Sequence, residues 1–455
     1  MAIANVVFCC WIFVFTVIHV GEFCCNGFGA SLREHHHVIQ TESLVPASTC
    51  SGSVRDDAQV GKMRVSHRYG PCSQLKKVSP GTAEAEILEL DELRVKNINS
   101  KRTGFRQLSG EVRGSRLPTY GGPIGAGNFV VRVGFGTPIQ EFTMIFDTGS
   151  KLTWIQCAPC SNTSCYPQQD PLYDPSASVT YSNATCESSP SCEYYIDYSD
   201  KSSSSGHLVR DTLTLTTPSD TYSNFVFGCG ETNQGNFGTA AGVLGFGSDS
   251  DPLSFLSQTA GNSGLIFCYC LPAADGSNGH LSFGSEALST CSSDIYTSLI
   301  QYRNSPSFYY ITLNGITLGG QQLEISPFRT IIDSGTVITR LPPSIYSALR
   351  STFMQQMSQY PIAPPLPPSM DTCYNLTAYA NFTAPEIVLQ LEKSREVRLD
   401  PSAVVWIESS SQVCLAFAGN KQETDQAIIG NHQQRTLNIL YDIRAMELAF
   451  GSQGC

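Results

Sequence analysis

Two short stretches of this chain recur at one spacing. Phe146-Asp147-Thr148-Gly149-Ser150 returns 186 residues later as Ile332-Asp333-Ser334-Gly335-Thr336, and Val243-Leu244-Gly245 returns 185 residues later as Ile428-Ile429-Gly430. Two unrelated motifs sharing an offset mark an internal duplication. Two similar halves packed about a pseudo-two-fold axis would bring Asp147 and Asp333 together there. One Asp-Thr-Gly alone is an ordinary turn. Here, however, Asp147 ends the apolar run Met144-Ile145-Phe146, where burying a lone ionised carboxylate is costly. A second carboxylate supplies the missing partner.

A shared site changes what the two groups do. Two adjacent carboxylates do not both ionise easily, so the pair holds one proton over a wide acidic range. The ionised member can take a proton from water while the protonated one polarises a carbonyl, which is general acid/base hydrolysis of an amide. Gly149 and Gly335 leave room for the carboxylates to approach. The Thr148 and Ser334 hydroxyls are placed to link the two turns, and Ser150 and Thr336 to orient the outer carboxylate oxygens.

From Leu117 onward the chain is a series of short β-branched and aromatic runs cut by Gly, Pro, Asn and Asp, such as NFVVRVGFG, NFVFGCG and RTIID. This predicts a mostly β fold with many turns. PPSIYSALRSTFMQQM predicts a helix starting at proline, and YPIAPPLPPSM a stiff surface loop. Upstream, AEAEILELDELRVKNI predicts an amphipathic helix with Ile87, Leu88, Leu90, Leu93 and Val95 as its apolar positions. KRTGFRQLSGEVRGSR follows it and has the look of a removable, processing-sensitive end.

Val6 to Val20 is almost wholly apolar, too short for a membrane span of about 20 residues and suited to a secretory signal peptide. Of 18 cysteines, 12 lie from Cys157 onward, an even number as disulfides require. Five of them fall between Cys157 and Cys192 and cannot all pair with one another. A zinc site is disfavoured there because no second Cys-x2-Cys or nearby His completes a tetrahedral set. Asn162, Asn183, Asn375 and Asn381 begin glycosylation sequons.

Charge divides the chain. Residues 1–116 hold 14 Lys+Arg and 11 Asp+Glu, net +3, whereas residues 117–455 hold 14 and 28, net −14. The acidic body argues against a nucleic-acid partner, whose phosphates are neutralised by Lys and Arg.

The motifs FDTGSKLTWIQC, FVFGCGETNQGNF, AGVLGFG, IIDSGTVITRLP, DTCYNL, VCLAFAGN and AIIGNHQQRTLNILYD, in this order over roughly 120–455, resemble the pepsin-like aspartic proteases. Within that family they resemble the plant nepenthesin-type branch, which includes the group described as chloroplast-nucleoid DNA-binding proteases. The resemblance implies a bilobal pepsin-like β fold with a substrate cleft, catalytic Asp147 and Asp333, and no cofactor or metal. It also implies a β-hairpin flap over 194–215 carrying Tyr198, and Trp154 behind that flap. Ser199-Asp200 stands where the family usually has Gly-Asp, and Lys151 where this branch often has Asp, putting a cation beside the dyad.

The resulting division is a signal peptide over 1–29, a prosegment over 30–116, an N-terminal protease lobe with cysteine-rich insert and flap over 117–310, and a C-terminal lobe over 311–455. The expected function is that of an aspartic endopeptidase made as a secreted zymogen. Its prosegment is an intramolecular inhibitor, and its substrates are polypeptides. The protein is expected to be a monomer without a membrane partner, in the extracellular space, with vacuole or chloroplast as alternatives. The competing reading is a catalytically silent member that binds or inhibits another hydrolase.

Overall fold

The computed structural model describes residues 35–44, 48–51, 60–75, 80–100, 116–118 and 129–455, apart from 162, 186–191, 199–201, 218–219, 249–251, 274–275, 292, 301–307 and 453. The signal-peptide and Asn162 readings, the flap pair Ser199-Asp200 and nearly all of the processing-sensitive end therefore lie outside the described residues. The chain is mostly β and bilobal.

The N-terminal segment contributes β1 (His36–Gln40), β2 (Lys62–His67) and α1 (Pro80–Ser100). The first lobe contains β3 (Phe129–Phe135), β4 (Gln140–Asp147), β5 (Trp154–Gln156), β6 (Cys192–Asp197), β7 (Ser203–Thr214), β8 (Thr221–Gln234) and β9 (Gly242–Gly245). The second is built around β10 (Tyr309–Leu313), β11 (Phe328–Ile332), β12 (Thr339–Leu341), α2 (Pro343–Gln356), β13 (Phe417–Gly419) and β14 (Ala427–Ile429).

The duplicated motifs are the crossing points of two equivalent strand arrangements. In the first lobe β9 runs parallel to β4, with Gly245 opposite Asp147, and antiparallel to β5, with Val243 opposite Trp154. In the second, β14 runs parallel to β11, with Ile429 opposite Ile332, and antiparallel to β12, with Ile428 opposite Arg340. Trp154 and Arg340 thus occupy equivalent places in the two halves.

Each catalytic-type turn leaves the buried end of its strand. From Phe142 to Asp147 every residue of β4 is buried, as a strand covered on both faces requires. By contrast, β6 alternates buried Cys192, Tyr194 and Ile196 with exposed Glu193, Tyr195 and Asp197, the period of a half-covered strand. β6 and β7 form the hairpin expected as the flap.

The N-terminal segment is woven into this body. β1 pairs with the strand Asn381–Pro385, and β2 lies between β3 and the strand Gly279–Phe283. Met63 and Val65 of β2 belong to the main hydrophobic core. α1 lays Ile87, Leu88 and Leu90 against Val337, Ile338 and Trp406, and Val95 and Ile98 against Tyr310, Ile331 and Ile428.

One expected apolar position of α1 is corrected. Leu93 is 38% exposed, whereas Asp91 and Arg94 are wholly buried. At 3.6 residues per turn the stripe through Ile87 and Leu90 continues to Asp91, Arg94 and Ile98. Two charged residues therefore sit on the inward face.

Disulfides join Cys50 to Cys72, Cys157 to Cys229, Cys160 to Cys165, Cys268 to Cys291, Cys270 to Cys455 and Cys373 to Cys414. Among these pairs, Cys157 is the member of the cysteine-rich stretch that reaches outside it. Among the described residues no helix is long and apolar enough to cross a membrane.

Candidate active site

Asp147 and Asp333 are brought together at the crossing points, both without solvent exposure. Each carboxylate is held by its own turn. The Gly149 amide donates to Asp147 Oδ1 at 2.9 Å and the Ser150 hydroxyl to Oδ2 at 2.5 Å. In the second turn the Gly335 amide donates to Asp333 Oδ1 at 3.2 Å and the Thr336 hydroxyl to Oδ2 at 2.5 Å. Four of the six neighbours expected to support the pair, Gly149, Ser150, Gly335 and Thr336, hold its carboxylates in this way.

The two turns are also tied to each other. The Thr148 amide donates to Ser334 Oγ at 3.0 Å, the Ser334 amide donates to Thr148 Oγ1 at 2.9 Å, and the two hydroxyls lie 3.2 Å apart. Every polar atom of this link is buried, so losing one hydroxyl strands an amide without an acceptor, at about 1–3 kcal/mol. Thr148→Val is expected to lower Tm by several degrees, at about 2–4 °C per kcal/mol. Thermal denaturation followed by circular dichroism checks this, and an unchanged Tm would show the link to be dispensable.

A third charged group completes the site, and it comes from α1. The Arg94 guanidinium donates from Nε to Asp333 Oδ2 at 2.8 Å, and from Nη2 to Asp333 Oδ1 at 2.6 Å. The same Nη2 donates to Asp147 Oδ1 at 2.8 Å, while Nη1 reaches Asp147 Oδ2 at 3.3 Å. This fork matches the planar donors of arginine to two carboxylates at once. The two glycines make room for it: a Cβ at Gly149 would lie 2.4 Å from Arg94 Nη2, and one at Gly335 2.3 Å from Cζ.

Burial sets the electrostatics. It pushes the Asp147 carboxyl above the usual carboxylate range, Arg94 pulls it down and Asp333 pushes it up again. For Arg94, burial opposes its charge, but Asp147 and Asp333 outweigh that and hold it more firmly protonated than an ordinary arginine. The cation on the dyad is thus Arg94, whereas Lys151 lies half-buried nearby.

A second α1 carboxylate is seated close by. Asp91 Oδ1 accepts from the Val337 amide at 2.6 Å, and Oδ2 accepts from the Ile338 amide at 3.3 Å and from Arg340 Nη2 at 2.8 Å. Glu92 accepts from Arg340 Nη1 at 3.0 Å and lies 3.5 Å from Lys421 Nζ. Sequence reasoning missed Arg94, Asp91 and Arg340. The available signal was a charge at a helical spacing of seven from Ile87, inside an otherwise apolar stripe.

On the flap side, Trp154 Nε1 donates to the Tyr198 hydroxyl at 2.7 Å, and both rings pack edge-on against Phe237. Tyr198 is buried and follows β6 directly. Asn183, Asn375 and Asn381 are all exposed. Among the described residues, Cys268, His280 and Cys291 form one group able to hold a metal ion. The two sulfurs are joined as a disulfide, which removes them as thiolate ligands.

A duplicated β fold that delivers two Asp-[Thr/Ser]-Gly turns to one buried point defines an aspartic-type endopeptidase. The chain belongs to the plant family of pepsin-like aspartic proteases. Residues 129–285 match the family model described as xylanase inhibitor N-terminal, and residues 308–452 that described as xylanase inhibitor C-terminal. An aspartyl protease family protein of Arabidopsis thaliana is 41% identical, with 95% of each chain covered. Aspartic proteinase nepenthesin-2 of Nepenthes gracilis is 34% identical over 75% of this chain and 80% of its own. The crystal structure of basic 7S globulin from soybean shares the fold, with a TM-score of 0.57 at 19% identity, covering 71% of this chain and 91% of that one.

Proposed function

We propose that this protein is an acid-acting aspartic endopeptidase made as a secreted zymogen, with Asp147 and Asp333 as its catalytic pair. Residues 30–116 act as its intramolecular inhibitor. The observation that carries this reading is the Arg94 fork on both carboxylates. While it is seated, no water or peptide carbonyl reaches either oxygen pair.

Once α1 leaves, the pair shares a proton. The ionised carboxylate takes a proton from water as the water oxygen bonds to the peptide carbonyl carbon, and the protonated carboxyl donates to the carbonyl oxygen. Collapse of the tetrahedral adduct breaks the C–N bond, with the leaving nitrogen taking a proton from the dyad. Tyr198 closes over the substrate from the β6–β7 hairpin. A secretory route suits the disulfides and the exposed sequon residues Asn183, Asn375 and Asn381.

The test is hydrolysis of a denatured general protein substrate by the full chain, with and without prior acid treatment, between pH 2 and 7. Acid-treated protein is expected to have an acidic optimum, and untreated protein assayed near neutral pH to be silent. No hydrolysis anywhere in the range would refute the reading.

A binding or inhibitory role is the second reading, favoured by the descriptions of the two matched family models. Both complete Asp-[Thr/Ser]-Gly turns and the hydrogen bonds that orient them support the peptidase instead.

A further inference from the structure

We infer that Arg340 forms a subsite for an acidic side chain of the substrate, close beside the dyad; this rests on the peptidase reading above. The site is presently filled by Asp91 of α1. Its carboxylate takes two backbone amides and one guanidinium nitrogen, all from the body of the protein. The donors are built into β12 and the turn that precedes it, not into α1. When α1 leaves, they remain as a carboxylate cradle without an occupant.

Three further observations point to substrate rather than to precursor packing alone. First, Arg340 stands at the pseudo-symmetric place of Trp154, since each faces the equivalent residue of its crossing strand, Ile428 and Val243 respectively. Trp154 carries the flap tyrosine, so its counterpart is also placed at the cleft. Second, Arg340 is positioned independently of α1, because Nη2 also donates to Ser369 Oγ at 3.0 Å. Third, the cradle has a fixed distance from the chemistry. Asp91 and Arg94 lie on one helix face three residues apart, about 4.5 Å along the axis. An extended peptide advances about 3.3 Å per residue, so the acidic residue falls within about two positions of the scissile bond.

Among the described residues, the charged groups facing Arg340 are Asp91 and Glu92 from α1, and Lys421 lies beyond Glu92. With α1 gone, the cationic Arg340 and Lys421 remain on this wall. A charge-assisted, fork-shaped contact to a carboxylate is roughly twice as strong as a neutral one. The same position occupied by Gln offers no charge.

The test uses the acid-released full-length protein and peptide pairs identical except for Glu or Gln, placed in turn at each position around one scissile bond. Wild type is expected to prefer Glu over Gln at one position by about tenfold in kcat/KM near pH 5.5, where the substrate carboxylate is ionised. Near pH 3 the ratio should fall toward one as that carboxylate protonates. Arg340→Gln should erase the ratio at both pH values, and Arg340→Lys should restore part of it.

Fluorescence anisotropy of the same labelled peptides on acid-released Asp333→Asn protein gives a readout free of catalysis. Glu-selective binding without cleavage in wild type would sustain the subsite and sink the peptidase reading. Cleavage with no Glu preference at any position, or with a preference that survives Arg340→Gln, would overturn the subsite. Arg340→Lys keeps the test decisive if Arg340→Gln fails to fold.

Discussion

Asp333→Asn protein, released in acid and assayed on a denatured protein substrate, should lose hydrolysis by about 10²- to 10⁴-fold, the range for removing a general acid/base. Asn has the shape of Asp, and its carbonyl oxygen still accepts from the Gly335 amide or the Thr336 hydroxyl. What it cannot do is ionise or carry the shared proton. The fold should therefore persist, with circular dichroism unchanged and the Thr148–Ser334 link intact. The loss should appear in kcat rather than KM, because the dyad acts on the reacting atoms. Asp147→Asn should match it, since the two carboxylates act as one unit and their effects do not add. Activity surviving either change would break the shared-proton mechanism.

The dyad was legible because duplication wrote it twice. A motif at 147 and its echo at 333, with Val243-Leu244-Gly245 and Ile428-Ile429-Gly430 at nearly the same offset, locates a pseudo-two-fold axis without coordinates. The strand pairing then gives the offset its cause: these four segments are the parallel pairs β4 with β9 and β11 with β14. The plug was not legible. Arg94 occurs once, has no counterpart in the other half, and lies in a segment whose charge was read only as a net excess. Its role depends on where a helix docks, which is decided by packing of Ile87, Leu88, Leu90, Val95 and Ile98 on the second lobe. Leu93 shows the same limit: at helical spacing it looked apolar-facing, and docking turned it outward. Arg340 was hidden for a different reason, since only the strand register makes it the counterpart of Trp154.

Arg94→Gln in the precursor should yield protein that hydrolyses substrate at pH 6 without acid treatment, where wild type is silent. Removing one partner of a buried ionic contact costs about 3–5 kcal/mol, and each 1.4 kcal/mol is tenfold, so release of α1 should become easier by about 10²-fold or more. Proton uptake by the two facing carboxylates relieves part of their repulsion and keeps the effect toward the lower figure. The pH dependence carries the sharper signature. Burial raises both the Asp147 and the Asp91 carboxyls in the docked state, and an arginine pulls each of them down, so by linkage these two shifts on their own favour docking as pH falls. The fork is the counterweight, because it needs ionised oxygens, whereas the freed pair shares a proton. Acid release therefore requires that proton uptake by the freed pair exceed that of the docked groups, by about tenfold per pH unit for each extra proton. Arg94→Gln should both move the half-release point to higher pH and flatten its slope, whereas Arg94→Lys, which keeps the charge but not the fork, should shift the midpoint less and keep the slope. Separation of the N-terminal segment on size exclusion, measured at half-unit steps from pH 3 to 7 after cleavage between residues 101 and 116, reads both quantities. A variant still silent at pH 6, with wild-type midpoint and slope, would show that α1 holds the cleft by its apolar face and that Arg94 is a passenger.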